Sequence, residues 1–210
     1  MDGAVAICDT VKNARKINGM KLEKLNGETK CYGALNIDGI KKTTGYYERD
    51  LKLKVGCQVM ITINDIDGEY VNGTVGIVES LEDEVITVSI KDRDELVKIY
   101  RHSFYEKDRN GDLIVVEQFP VILAYAVTVH KSQGLSLEKV NIIYDSFWEA
   151  GQLYTALSRC KTVNNIFIGS LVDTEEGLQL KSKDISVDDL KTNGKVCSFY
   201  NRICERGISA

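Results

Sequence analysis

The stretch VILAYAVTVHKSQG, residues 121–134, decides the predicted fold. Eight of its first nine residues are apolar and none of the nine is charged. An unbroken apolar run of this length, between Pro120 and a polar loop, is typical of a strand covered on both faces in a parallel sheet. Ligands of open α/β sheets bind just beyond the carboxyl ends of such strands. The sequence therefore predicts a buried strand that delivers the polar residues 128–134 to a binding edge.

A second patterned stretch, GQLYTALSRC, covers residues 151–160. It predicts a helix over 149–160 with an apolar stripe at i, i+3, i+4 and i+7: Ala150, Leu153, Tyr154 and Leu157. A neighbouring face with the same spacing carries Gln152, Thr155, Ala156 and Arg159. Tyr154 is therefore expected in the core, with base stacking as the alternative. Arg159 falls at the helix end, where the macrodipole favours a cation.

Together the two stretches resemble motifs V and VI of superfamily 1 DNA helicases, in the RecD-like and Pif-like branch. TVHKSQG and GQLYTALSRC match those motifs in residue type, order and spacing. The resemblance implies the C-terminal half of such a helicase: an α/β, RecA-like parallel-sheet domain interrupted by a small all-β, SH3-like barrel. The implied boundaries are 1–50 and 118–210 for the discontinuous RecA-like domain and 51–117 for the barrel.

The middle of the chain has the pattern of short strands. Apolar and mostly polar residues alternate over 51–63, which predicts strand structure there. Turn signals at 67–68, 72–73 and 110–111 separate further strand-like runs, and strands at this spacing predict a barrel or sandwich. Residues 28–50 show no clear period and are predicted to be irregular.

Further elements complete the predicted α/β domain. AVAIC, residues 4–8, predicts a strand at the sheet edge, and Asp9 or Thr10 is expected to cap the helix that follows. The inner stripe of that helix comprises Val11, Ala14, Ile17, Leu22 and Leu25. Two core strands and a last helix are predicted at 140–144, 166–168 and 187–200.

The resemblance also implies roles for individual residues. Arg159 is implied to be an arginine finger that reaches in trans to the γ-phosphate of ATP, since a guanidinium is permanently charged and forks onto phosphate oxygens. The alternative is a solvated arginine that caps the helix. Residues implied to bind the nucleotide are Gln133, Gly134, Gln152 and Arg159. Those implied to contact single-stranded DNA are Thr128, His130, Lys131 and Ser132, with Trp148, Lys52, Lys54, Tyr70 and Asn72 as weaker candidates.

The sequence lacks the motifs that would cradle the nucleotide. A motor of this class needs G-x-x-x-x-G-K-[ST], the Walker A motif, for the phosphates and the carboxylates of a Walker B motif for Mg²⁺, and neither motif occurs in the 210 residues. We therefore expect ATP and Mg²⁺ to bind at a site shared with an N-terminal RecA-like half, in the same full-length chain or separate. This chain alone should not turn over ATP. The resemblance further implies movement along single-stranded DNA with 5′→3′ polarity.

Composition limits other functions. A net charge of −4 gives no global basic field for nucleic acid. Six cysteines without a C-x-x-C pair, and only two histidines, assemble no zinc pattern, so no metal site is predicted in this chain. No membrane segment or targeting signal is recognisable. Cysteines within apolar runs favour an intracellular, reducing compartment.

Two other functions remain open at this point. The chain could be a non-catalytic, helicase-derived module that binds nucleic acid, in which case DNA affinity would come without ATP hydrolysis. It could also be half of a viral superfamily 1 RNA helicase, whose motifs are closely similar. A preference for RNA over DNA would distinguish that case.

Overall fold

The computed structural model describes residues 4–40, 45–145, 150–174 and 177–184. The predicted helix at 187–200 and Trp148 lie outside these residues. The chain divides into two compact units, residues 1–15 with 126–210 and residues 16–125. The described elements are β1 (Val5–Cys8), α1 (Val11–Glu23), β2 (Lys30–Gly33), β3 (Asp50–Leu53), β4 (Gln58–Ile61), β5 (Val75–Leu81), β6 (Val85–Ile90), β7 (Val97–Tyr100), β8 (His102–Lys107), β9 (Leu113–Gln118), β10 (Val121–Leu123), β11 (Ala126–Thr128), β12 (Val140–Ile143), α2 (Gln152–Leu157), β13 (Ile166–Thr174) and β14 (Gly177–Ser182).

The first unit is built on a sheet of strand order β11-β1-β12-β13-β14. Its first four strands are parallel, and β14 returns antiparallel to β13. The predicted α/β class with a parallel sheet is therefore confirmed. The edge position predicted for residues 4–8 was wrong, because β1 pairs with β11 on one side and with β12 on the other.

The apolar run at 121–134 does not form one strand, so the prediction of a single buried strand was wrong. β10 pairs antiparallel with β4, whereas β11 pairs parallel with β1. Between them, Ala124 N donates to Gln58 O at 2.9 Å, and Gln58 Nε2 donates to Ala124 O at 2.7 Å. The run therefore contributes one strand to each of two sheets. An apolar pattern indicates that residues are buried, but it does not indicate which sheet buries them.

The second unit contains an antiparallel sheet of order β10-β4-β5-β6-β7 and two hairpins, β2-β3 and β8-β9. Its core includes the fully buried side chains of Leu53, Val59, Ile86, Ile99 and Phe119. The predicted all-β middle of the chain is present as short antiparallel strands. The SH3-like form of this region and the boundaries 51–117 stay predictions.

Two sequence expectations for the second unit were wrong. The alternation over 51–63 is broken by a turn, where Gly56 adopts φ 83° and Val55 is 54% exposed. Residues 28–50 are not wholly irregular, since they contain β2 and the buried side chains of Tyr32 and Tyr47. The hairpin β2-β3 and these tyrosines are fixed by distant partners, which leave no local period in the sequence.

Helix α1 begins as predicted, because Thr10 Oγ1 accepts a hydrogen bond from Asn13 N at 3.2 Å. Ala14, Ile17 and Leu22 are buried, but Val11 is 55% exposed, so its predicted place in the core was wrong. Periodicity assigns a face of a helix, not how far along its length that face is covered. In the described part of the chain, no helix combines the length and apolar character needed to cross a membrane.

Candidate functional site

The loop after β11 is shaped by two buried hydroxyl groups. Ser132 Oγ donates to Val129 O at 2.7 Å, and Thr128 Oγ1 accepts from Lys131 N at 3.4 Å. Ser132 is fully buried and Thr128 is 9% exposed. Val129 N also donates to Cys8 O at 3.1 Å, which attaches the loop to the end of β1. Both hydroxyls therefore hold the single 3₁₀ turn His130–Ser132 in place.

The remaining polar residues of this loop are accessible. His130, Gln133 and Gly134 are exposed, and Lys131 is half-buried. Gly134 adopts φ 83°, a left-handed conformation that side chains rarely tolerate, and a Cβ there would meet nothing within 4 Å. The loop thus presents a backbone that another group can approach closely, next to a cation and an amide.

Helix α2 is shorter than the predicted 149–160 and buries a different face. Gln152 and Leu153 are 5% and 2% exposed and Ala156 is fully buried, whereas Tyr154 is 73% exposed. The core position predicted for Tyr154 was therefore wrong. The two candidate faces differ by about one residue step of 100°, and the packing selects Gln152 rather than Tyr154 as the inward neighbour of Leu153.

Arg159 follows α2 and is half-buried. Its Nε donates to Thr155 O at 3.1 Å and its Nη2 to Ser158 Oγ at 3.0 Å, with a longer contact of 3.4 Å from Nη1 to Leu135 O. A guanidinium has about five N–H donors, so these three contacts leave others for an external acceptor. Within the described residues no carboxylate pairs with Arg159, and its charge is therefore not neutralised by the protein there.

The backbone of Arg159 is joined to the segment that follows Gly134. Leu137 N donates to Arg159 O at 2.8 Å, and Lys161 N donates to Leu137 O at 2.9 Å, forming a parallel bridge between Leu137 and Cys160. The thiol of Cys160 adds a hydrogen bond of 3.2 Å to Thr162 O. The structure thereby brings the end of the second predicted motif beside the segment that follows the first.

The groups that make this junction could not have been found from the sequence. Backbone N–H and C=O groups at positions 135–137 occur in every loop and leave no signal in the residue types. Gln152 lies on the buried face of α2, inside the unit. Its predicted contact with a nucleotide stays a prediction. The same holds for the DNA contacts predicted for Thr128 and Ser132, and for those of Lys52, Lys54, Tyr70 and Asn72 in the second unit.

Cys8 lies at the carboxyl edge of the sheet, but its thiol is not activated. Burial, and then the neighbouring carboxylate of Asp9, raises the pKa of Cys8 to about 12, so the thiol stays protonated near neutral pH. Within the ranges that the structure describes, no three His, Cys, Asp or Glu side chains group as metal ligands would. The chemistry available at this edge is therefore that of the exposed loop, while Arg159 lies beside the segment that precedes β12.

No protein-family model matches the chain, but similar proteins are found. It is 38% identical over 163 residues to the ATP-dependent DNA helicase Pif1 of Bdellovibrio bacteriovorus, a match that covers 74% of this chain and 37% of that protein. It is 32% identical to the ATP-dependent DNA helicase Pif1 of Campylobacter jejuni, with 96% of this chain and 48% of that protein covered. The chain thus spans at most about half the length of these relatives.

Solved structures give the same result. The crystal structure of Bacteroides Pif1 bound to single-stranded DNA is 30% identical, with a TM-score of 0.73 over 99% of this chain and 46% of that one. The Bacteroides Pif1 structure in complex with ADP-AlF4 is also 30% identical, with a TM-score of 0.72 and the same coverage. The sequence resemblance and the fold agree: the chain belongs to the Pif1 helicases of superfamily 1 and matches about half of their length or less.

Proposed function

We propose that this chain is a motor domain of an ATP-dependent DNA helicase, which supplies an arginine finger and part of the track for single-stranded DNA. The observation that carries the proposal is the junction between Arg159, in the second motif-like segment, and the chain three residues after the first, where Leu137 N donates to Arg159 O at 2.8 Å. A cation at the end of α2 is thereby fixed beside an exposed loop.

Arg159 has the properties of a finger. Two of its nitrogens are held by Thr155 O and Ser158 Oγ, so the guanidinium is oriented, and among the described residues no carboxylate neutralises its charge. An oriented guanidinium stabilises the charge that develops on a transferring phosphoryl group without further reorganisation. Gln133 and Gly134 lie on the loop joined to it and are exposed enough for contact with a phosphate.

ATP with bound Mg²⁺ would supply the phosphoryl group and neutralise its oxygens. The donors present in this chain fit the γ-phosphate end of that group, because they are N–H donors and a permanent cation. The sequence lacks the Walker A motif that would cradle the other phosphates. Among the described residues, no three His, Cys, Asp or Glu side chains group as metal ligands would. We therefore assign the cradle and the Mg²⁺ ligands to an N-terminal RecA-like half, consistent with the relatives being about twice as long.

The loop after β11 is the proposed track for single-stranded DNA. Lys131 and His130 supply donors for phosphate oxygens, which bind the backbone without reading bases. Thr128 and Ser132 contribute by shaping the turn, since their hydroxyls are already bonded inside it. Neither alternative function is favoured, because the similar proteins reported above are named as DNA helicases.

Measurement of ATP hydrolysis tests this proposal. The chain is assayed with single-stranded DNA, alone and then combined with an N-terminal half that carries a Walker motif. We expect no turnover alone, turnover on combination, and loss of that turnover in Arg159→Ala. Turnover by the chain alone, or full activity of the Arg159→Ala combination, would overturn the proposal.

A further inference from the structure

The backbone of Asp145, just beyond β12, is held by two side chains from distant parts of the sequence. Asp145 N donates to Asp9 Oδ2 at 2.9 Å, and Asp145 O accepts from Lys183 Nζ at 2.9 Å. Asp9 follows β1 and Lys183 follows β14, so the beginning and the last described part of the chain meet at one residue. We call this arrangement the Asp145 clamp.

The Asp9 side of the clamp is rigid. Asp9 is 8% exposed, and its second carboxylate oxygen accepts from Asn13 Nδ2 at 2.9 Å. Asp9 N donates to Ile143 O at 3.2 Å, which fixes its backbone against β12. Hydrogen bonds to a carboxylate are among the stronger ones in proteins. The N–H of Asp145 is therefore bound by an acceptor that cannot easily move away.

The Lys183 side is fixed at two points. Its Nζ lies 3.9 Å from the centroid of the fully buried Tyr144 ring, within the range of a cation–π contact. Its backbone N donates to Ile168 O at 3.1 Å, which extends the sheet pairing of β14 by one residue. The ammonium group thus reaches Asp145 O from an anchored backbone and over an aromatic surface.

The location of the clamp determines its consequence. Asp145 is where the chain leaves β12 on its way to α2, which begins seven residues later and has only six residues. The buried side chains of Gln152, Leu153 and Ala156 pack α2 inside the unit, and because the helix is so short, the chain on either side of it also contributes to its placement. One end is held by the bridge of Leu137 to Arg159 and Lys161, and the clamp fixes the chain seven residues before the other end.

We propose that Asp9 and Lys183 are positioning residues for Arg159: they fix the exit of the chain from β12 and thereby the placement of α2. This inference rests on the proposed function of Arg159 as a finger. It gives a role to β14 and its flank, for which the sequence pattern indicated none. Lys183 is expected to act through the backbone of Asp145 without touching nucleotide or DNA.

Hydrogen exchange of this chain alone tests the clamp without any helicase assay. Lys183→Met keeps the aliphatic stem but removes the ammonium, and Lys183→Arg retains a cation that can still donate. Lys181→Met is the matched control, since Lys181 is an exposed lysine of β14. In Lys183→Met we expect the amides of α2 to exchange about tenfold faster while those of β1 and β12 are unchanged. Lys183→Arg should exchange as the wild type does.

ATP hydrolysis by this chain combined with its N-terminal half tests the consequence for Arg159. Lys183→Met should lower kcat by about 10- to 100-fold, since a misplacement of about 1 Å can cost about 100-fold. KM for ATP should change by less than about twofold if placement rather than binding is lost. Lys183→Arg should restore most of kcat, and Lys181→Met should leave it unchanged.

Each other outcome has a defined meaning. Faster exchange throughout β1 and β12 in Lys183→Met would make the clamp a general stabiliser and overturn the inference. Unchanged exchange in α2 would overturn it as well, as would an unaffected kcat beside an inactive Arg159→Ala control. If Arg159→Ala itself retained full activity, the proposed function would fail, and the exchange result alone would decide whether the clamp positions α2.

Discussion

The N–H of Leu137 and the C=O of Arg159 are joined by a hydrogen bond of 2.8 Å. Leu137 lies three residues after Gly134, and Arg159 is the proposed arginine finger. This bond gives a direct route by which a displacement of the loop after β11 can reach the backbone that carries the guanidinium. Such a link is short, made only of backbone atoms, and independent of the side chain at position 137.

The guanidinium of Arg159 should not be replaceable by an ammonium. In the protein combined with its N-terminal half, Arg159→Ala should lower the rate of ATP hydrolysis by about 10³- to 10⁵-fold. Arg159→Lys keeps the charge but loses the fork and the contacts that orient it, so it should remain closer to Arg159→Ala than to the wild type. Steady-state hydrolysis measures this, with Lys161→Ala as a control at a neighbouring exposed cation. Near-normal turnover by Arg159→Lys would mean that charge alone suffices.

Ser132→Ala and Lys131→Ala should affect different properties. Loss of the buried Ser132 hydroxyl leaves Val129 O without that donor and should lower the free energy of unfolding by about 1 kcal/mol, measured by urea denaturation. Lys131→Ala should instead weaken single-stranded DNA binding and reduce the slope of log K against log salt by about 0.7. Lys139→Ala, at an exposed lysine outside the loop, is the control. An unchanged slope in Lys131→Ala would contradict the proposed track.

The buried thiol of Cys57 should make the protein sensitive to alkaline pH. Burial raises the pKa of Cys57 from 9.0 to about 11, so the unfolded state loses this proton at a lower pH than the folded state does. The stabilisation is complete below pH 9 and is lost as pH rises through about 11. It amounts to about 2–3 kcal/mol of unfolding free energy.

Urea denaturation of Cys57→Ala across this pH range measures that contribution. The difference in unfolding free energy between wild type and variant should shrink between pH 9 and 11, whatever the constant cost of the smaller side chain. Cys31→Ala, at an exposed position, controls for the loss of a thiol. A difference that stays constant across the range would show that Cys57 does not titrate on unfolding.

Gly76 should be intolerant of a side chain although its φ is ordinary. A Cβ at this position of β5 would lie 2.5 Å from Ser89 O and also meet the Val88 side chain on β6. Because a backbone oxygen cannot move aside as a side chain can, Gly76→Ala should cost about 1–3 kcal/mol of unfolding free energy. Gly33→Ala in β2 is the matched control, since a Cβ there meets nothing within 4 Å. Equal stability of the two variants would disprove the steric explanation.

Much of the fold could be predicted because the signals are local. The strand-like runs between turn residues in the middle of the chain are strands, as are the runs predicted at 140–144 and 166–168, the latter continuing to Thr174, and Thr10 caps α1 as its position suggested. The missed strands differ: β2 and β14 lie in polar segments whose pairing partners, β3 and β13, are what make them strands. Pairing with a partner strand leaves no period in a polar sequence.

The sequence by itself determined the class of fold and the residue types of the candidate site, since apolar periodicity, turn residues and the two motif-like stretches are properties of short segments. Only the tertiary structure decided how the run 121–134 is divided between two sheets and which face α2 buries. It also decided that Leu137 pairs with Arg159, and that Asp9 and Lys183 both bond to the backbone of Asp145. The physical reason is that those decisions depend on hydrogen bonds between backbone groups and on partners up to 136 residues apart. Backbone N–H and C=O groups are alike along the chain, so the sequence does not indicate which of them will form hydrogen bonds with one another.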